Sequence, residues 1–304
     1  MYFNPGETGD NMTGSVAVLG TGAIGTAVVR RLLATGTDVV AWNRTAARLA
    51  DLAAAGVRPA ATPGEAVAAG DLTLVALTDY RAVLDVLGQL EPPLSGRTIA
   101  VLCTGTPDDA RAAAERVAAL GADYLDAGVQ TAPENIGTDD AVILYGGSPD
   151  AFARHRDTLS QLSPPRFVGA TPEAAAVWDL ALFGIWYDAQ LGLLRALQLA
   201  ADAGIDLDEF TQTAATQLGH VVAAAPDTAA ELAAADYPRG PASLDEHLPL
   251  VRQLVEMRAG SRLGDGGLAE IGRVVERLID RGHGAAGLTA VLSDQTGAMS
   301  TKRL

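Results

Sequence analysis

Asp179 is the one charged side chain in an otherwise apolar stretch, Ala174 to Tyr187, that contains Trp178, Phe183 and Trp186. On a helix, Phe183, Trp186 and Gln190 follow it at steps of four, seven and eleven and share its face. A carboxylate against an aromatic wall loses hydration, which disfavours its charged form and makes it a candidate acid. If it stays ionised, it can stabilise a nearby cation instead. A third reading is a structural Asp bonded to a backbone group or an arginine. Tyr187, eight residues on, is either a packing aromatic or a phenolic donor, and His247 is a weaker candidate for the same pocket.

A second group of residues points to a nucleotide. Gly20-Thr21-Gly22-Ala23-Ile24-Gly25 follows the apolar run Val16–Leu19 directly and opens a helical stretch. In that context Gly20 permits a tight turn, Gly22 lets the backbone approach a pyrophosphate, and Gly25 lets helix and strand pack closely. The phosphates then meet free N–H groups at the helix start. The next strand ends at Trp42-Asn43-Arg44-Thr45. A site for NAD carries Asp or Glu here to accept from the ribose 2′-hydroxyl. Asn43 removes that charge, Arg44 can pair with a 2′-phosphate, Thr45 adds a donor, and Arg48 stands a helical turn further on. The cofactor expected is therefore NADP(H). No Ser-His-Asp or Cys-His arrangement can be assembled locally to handle the accompanying proton.

The elements that must position these groups change character along the chain. The runs 15–19, 38–42, 72–77 and 98–102 read as buried parallel strands, being almost continuously apolar. Helical stretches at 23–35, 46–55, 81–90 and 107–120 alternate with them, and 123–127, 141–145 and 166–168 look like further strands. This is the pattern of a doubly wound parallel sheet, a Rossmann domain. Beyond Gly169 only helical patterns remain. Thr171-Pro172-Glu173 suggests a helix start with Thr171 as its cap, running to about Ala203 before Gly204. Later helices are expected over 207–225, 243–259 and 268–281, with Ser243 and Glu246 forming a capping box. The predicted organisation is α/β: a loose extension over 1–14, a Rossmann domain over 15–170, and a long interdomain helix leading an all-α domain over 171–304.

Composition narrows the partners. The net charge is −15 over 304 residues, which argues against nucleic acid, because phosphate backbones demand a basic face. Cys103 is the single cysteine, so no internal disulfide is expected and a reducing, cytoplasmic setting fits. No Cys/His set has zinc spacing, so no metal is expected. No signal peptide and no membrane span are expected. The long helix is apolar over several faces, more than one domain surface would bury, and a second subunit would cover it.

The residues together resemble the imine reductases, relatives of the β-hydroxyacid dehydrogenases and 6-phosphogluconate dehydrogenase, from about Val16 to Val291. The fingerprint at 18–25 and the turn at 42–45 look like that family's NADPH site. More specific are Cys103-Thr104-Gly105-Thr106-Pro107, the segment from Thr131 to Thr138, Ala235-Asp236-Tyr237-Pro238, and Gly282-His283-Gly284. The resemblance implies a cofactor site completed by Leu77, Thr78, Cys103 and Thr104. It also implies a catalytic Asp179 where β-hydroxyacid dehydrogenases carry Lys. The only lysine of this chain is Lys302. The implied substrate pocket comprises Gln130, Phe183, Trp186, Tyr187 and His247; Gln130 stands where a smaller or apolar group is expected. The family further implies a homodimer with sites shared between subunits. The expected reaction is reduction of a C=N bond to an amine, on a cyclic imine such as secondary metabolism supplies. The alternatives are a β-hydroxyacid dehydrogenase and a non-catalytic NADP-binding protein.

Overall fold

Val16 to Leu19 is buried on both faces, as are the other central strands, so helices must cover the sheet from both sides. The computed structural model describes residues 14–294; the extension expected over 1–14 lies outside them except for Gly14, as does Lys302. The order is β1 (Val16–Leu19), α1 (Ala23–Ala34), β2 (Val39–Trp42), α2 (Ala50–Ala54), β3 (Arg58–Pro59) and α3 (Pro63–Ala69). Then come β4 (Leu72–Val75), α4 (Tyr80–Leu87), β5 (Thr98–Val101), α5 (Pro107–Ala119) and β6 (Asp123–Val129). The sheet ends with β7 (Ile143–Gly147), α6 (Pro149–Ser160) and β8 (Arg166–Gly169).

Its strands lie in the order β3-β2-β1-β4-β5-β6-β7-β8. Alternate residues of β1 face opposite layers. Val16 and Val18 pack with Val28 and Leu32 of α1 and Phe152 of α6. Ala17 and Leu19 join the cluster of Val67 of α3, Val83 of α4 and Val117 of α5. This is the doubly wound fold expected, with one difference: β7 runs antiparallel to β6, pairing Ala127 with Tyr145, and only β8 is parallel to β7. An apolar run carries no mark of its direction, so the sequence gives the further strands without one. The two-residue β3 and helices α3 and α6 were not anticipated either. Each of those helices starts at a Ser/Thr-Pro pair whose hydroxyl caps it, Thr62 accepting from Glu65 N–H at 3.1 Å and Ser148 from Ala151 N–H at 3.2 Å.

The long helix α7 spans Ala174–Asp202. It does not begin at Pro172 as expected: Thr171-Pro172-Glu173 forms a turn, and Ala174 N–H donates to Thr171 O at 3.2 Å. The helices that follow are α8 (Leu207–Ala223), α9 (Ala225–Ala234), α10 (Leu244–Met257) and α11 (Leu268–Asp280). The helix expected over 207–225 stops at Ala223 because Pro226 opens α9. At α10 the capping box forms, Glu246 accepting from Ser243 N–H at 2.7 Å. Leu244, Val275, Leu278 and Ala290 form the core between α10 and α11. The chain divides into two compact units, one ending at Gly184 and the other beginning at Ile185.

Candidate active site

The strand order reverses at β1 and β4, and in such sheets ligands bind beyond the carboxyl ends of the strands at that switch point. Gly20 leaves β1 with φ of 97°, and a side chain there would overlap the Ala76 carbonyl beyond β4. A side chain at Gly25 would overlap the Gly20 carbonyl. Gly22 differs: a Cβ there meets no protein atom within 4 Å. That open position sits at the start of α1, which has no side-chain cap and no acidic residue in its first turn. The Thr21 hydroxyl is buried beside it and has no hydrogen-bond partner. A cradle of free N–H groups, an orphaned hydroxyl and empty space over Gly22 fit a bound pyrophosphate.

At the end of β2, Asn43 accepts from Thr21 N–H at 3.2 Å and donates to Thr45 O at 3.0 Å, so it braces the glycine loop. Arg44 and Arg48 are exposed, and among the described residues neither makes an ion pair. Residues 46–49 form a 3-10 turn, not the α-helix expected, so Arg48 is not one α-turn above Arg44 on a common helix. Leu77 and Thr78 follow β4, and Cys103 and Thr104 follow β5, at the same edge of the sheet. Cys103 is buried; burial first, then the charges of Asp79 and Asp126, push its thiol up to about 12, which makes it unreactive.

Asp179 is 1% exposed and lies on the first unit's part of α7. Its Oδ2 accepts from the Thr104 hydroxyl at 2.9 Å, and its Oδ1 accepts from Gln130 Nε2 at 2.8 Å. The same Gln130 nitrogen lies 3.1 Å from the main-chain oxygen of Asp179. Thr104 is held in a short loop whose far end is a capping box between Thr106 and Asp109. Gln130 is placed by its own N–H, which donates to Val142 O at 2.9 Å just past β6. Between them Gly128 leaves the space: a Cβ added there would lie 2.8 Å from Cβ and Oδ1 of Asp179. A buried carboxylate thus has a donor on each oxygen, at the sheet edge that holds the dinucleotide loops.

Residues 15–169 match the family described as the NAD binding domain of 6-phosphogluconate dehydrogenase, and residues 171–296 match the NADPH-dependent reductive aminase-like C-terminal domain. An NADPH-dependent reductive aminase from Aspergillus oryzae is 30% identical over 92% of this chain and 97% of its own. Among solved structures, an imine reductase from Aspergillus terreus in complex with NADPH4 and dibenz[c,e]azepine superposes with a TM-score of 0.86 at 30% identity, over 92% of this chain and 99% of that one. An imine reductase from Pseudomonas gives a TM-score of 0.82 at 31% identity, over 92% and 98%. The chain belongs to the NADPH-dependent reductive aminase and imine reductase family.

Within this reductive aminase fold, the remaining sequence candidates are distributed as follows. Phe183 is half-buried one turn beyond Asp179. Trp186 and Tyr187 belong to the second unit, are exposed, and meet edge to face with ring centroids 5.0 Å apart. His247 is half-buried on α10. Gln130, assigned to the substrate pocket from sequence, spends its amide on Asp179, and Thr104, assigned to the cofactor, has its hydroxyl there too. The sequence reading missed Asp126, buried two residues before Gly128 on β6. The available signal was a carboxylate inside a strand otherwise reading Tyr-Leu-x-Ala-Gly-Val.

Proposed function

We propose that this protein transfers a hydride from NADPH to the carbon of an imine or iminium and releases an amine, with a cyclic C=N compound as the substrate class. The observation that carries the reading is the buried Asp179 carboxylate, held by two neutral donors at the dinucleotide edge of the sheet. Gln130 Nε2 can only donate, so Oδ1 must remain an acceptor. The Thr104 hydroxyl can donate or accept, so any proton carried by Asp179 sits on the Oδ2 side and is shared with Thr104. Ionised, the same carboxylate supplies negative charge opposite an iminium nitrogen. When bound, NADPH supplies the hydride. Glycines 20, 22 and 25 with the α1 amide groups would hold its pyrophosphate, and Asn43, Arg44, Thr45 and Arg48 its 2′-phosphate ribose.

We assign the cofactor domain to residues 15–170 and a helical substrate and dimerisation domain to 171–304. Phe183, Trp186, Tyr187 and His247 are assigned to the substrate pocket. A homodimer is supported by α8, in which no residue is buried although it carries Val221 and Val222, 68% and 73% exposed. A cytoplasmic setting is supported by the single, unpaired cysteine.

The test is steady-state oxidation of NADPH by the purified protein with a cyclic imine, beside reduction of NADP by β-hydroxyacids. Imine-dependent turnover with none from hydroxyacids is expected. Hydroxyacid oxidation alone would favour the dehydrogenase reading, and NADPH binding without turnover on either class would leave a non-catalytic binder.

A further inference from the structure

Asp126 is ionisable, 1% exposed, and not used by the chemistry above. Burial pushes its carboxyl up to about 6. A carboxylate in such a place requires donors. Its hydrogen-bond donors are the hydroxyl of Tyr80 at the start of α4 and the hydroxyl of Tyr124 at 3.4 Å, and the nearby backbone amides of Ala127 and Ala176 also favour its charged form. Ala176 is the third residue of α7, the position whose N–H a capping side chain accepts. Asp126 thus lies beside the first turn of α7, where Ala176 packs in one buried cluster with Tyr80 and Tyr124.

Asp126, Gly128 and Gln130 alternate along one strand direction and share one face. The helix meets that face at three points: Ala176 packed with Tyr80 and Tyr124 around Asp126, the Asp179 Cβ over Gly128, and the Asp179 Oδ1 on Gln130. Tyr80 ties in the other side. Its ring lies where any side chain on Gly105 would be, and Gly105 directly follows Thr104. One tyrosine thus touches both the loop that supplies a donor to Asp179 and the carboxylate that holds the start of α7.

We propose that the Tyr80–Asp126 pair is a positioning device that fixes α7 on β6 so that the Asp179 carboxylate meets Thr104 and Gln130. The proposal rests on Asp179 carrying the chemistry of imine reduction. The groups facing Asp126 are Tyr80 of α4, Tyr124 of its own strand and Cys103 of the loop after β5. Burial holds both phenols neutral well beyond the physiological range, and the thiol titrates at about 12. Asp79, Asp109 and Asp179 are the other carboxylates around that thiol. A proton on Asp126 converts one of its acceptor sites into a donor and unsettles the grip on α7.

The experiment measures turnover, NADPH affinity and pH profile for Asp126→Asn and Tyr80→Phe in the full chain, each alone and with Asp179→Ala. Asp126→Asn should lower kcat on the order of 10-fold, one lost hydrogen bond's worth, with NADPH affinity unchanged within about twofold. The ratio of parent to variant turnover should shrink below pH 6, where the parent is itself protonated. On the residual turnover of Asp179→Ala, Asp126→Asn should have no further effect, because it acts through the missing group. Tyr80→Phe keeps the ring against Gly105 and should show a smaller loss of the same pattern; it decides the matter if Asp126→Asn does not fold. Parent-like turnover in the variants, a ratio flat with pH, or the same fractional loss in both backgrounds would overturn the proposal. Asp179→Ala alone reports separately on Asp179: parent-like turnover there removes the catalytic reading itself.

Discussion

Replacing Asp179 by Asn keeps its shape and removes its charge and acidity, so this variant asks what the carboxylate is for. If it is a general acid, turnover should fall roughly 10²–10⁴-fold, and a permanently charged iminium substrate should restore most of it. If it stabilises the cation, the loss should persist with that substrate. Gln130→Leu preserves bulk and deletes the donor that bonds both the carboxylate and the main-chain oxygen of Asp179. We expect kcat to drop on the order of 10-fold at unchanged NADPH affinity; a change confined to the substrate KM would return Gln130 to the pocket. Arg44→Ala should raise the KM for NADPH by an order of magnitude or more while barely touching that for NADH, since a charge-assisted bond to the 2′-phosphate is worth about 1.5–3 kcal/mol. Equal effects on the two cofactors would reject the assignment. At this scale the sequence conveyed residue types well and partners poorly. Asp179 stood out because a carboxylate in an apolar run is rare, but the groups that bond its oxygens lie outside its own helix. Its partners come from residues 104 and 130, and one-dimensional periodicity does not reach them.

Elements were legible where physics acts locally. The strands of the sheet read as apolar runs because both faces are covered, and the glycine fingerprint read as a turn because β1 precedes it and α1 follows. Arg58–Pro59 gave no such signal, since a two-residue exposed edge strand buries nothing. Helix α7 starts two residues later than expected, and the carboxyl beside its first turn, Asp126, is nearly fifty residues away in the chain. The burial of that carboxyl carries a measurable signature. The Asp126 carboxyl titrates at about 6 in the folded protein against an ordinary value of 3.8. Between those values the folded state holds a proton that the unfolded state has released. The contribution is therefore full below about pH 4 and is lost as pH rises to about 6, amounting to up to ~3 kcal/mol for a shift of this size. His155 has the opposite sign: burial, then the charge of Arg154, lower its pKa, so its contribution is lost as pH falls. Comparing urea unfolding of the parent with Asp126→Asn cancels His155, and the difference in stability should vary with pH across 4 to 6. A difference constant with pH would show that Asp126 does not titrate there.

For the whole molecule, α8 without a buried residue and the exposed Ile185, Trp186 and Tyr187 on α7 describe a chain with more apolar surface than water tolerates. Sedimentation at low micromolar concentration should find a dimer and no folded monomer; a compact, active monomer would defeat the shared-site reading. Among the described residues no helix is long and apolar enough to cross a membrane. The division between Gly184 and Ile185 has one more consequence. Thr104, Gly128, Gln130 and Asp126, which touch Asp179 or set its helix, all precede that division, whereas Trp186, Tyr187 and His247 follow it. On the proposed assignment, the groups around Asp179 and most of the substrate pocket thus lie in different stretches of the chain, Phe183 alone of the pocket preceding the division. A library diversified only beyond residue 184 should change which amines are made while every member keeps the parent's pH profile.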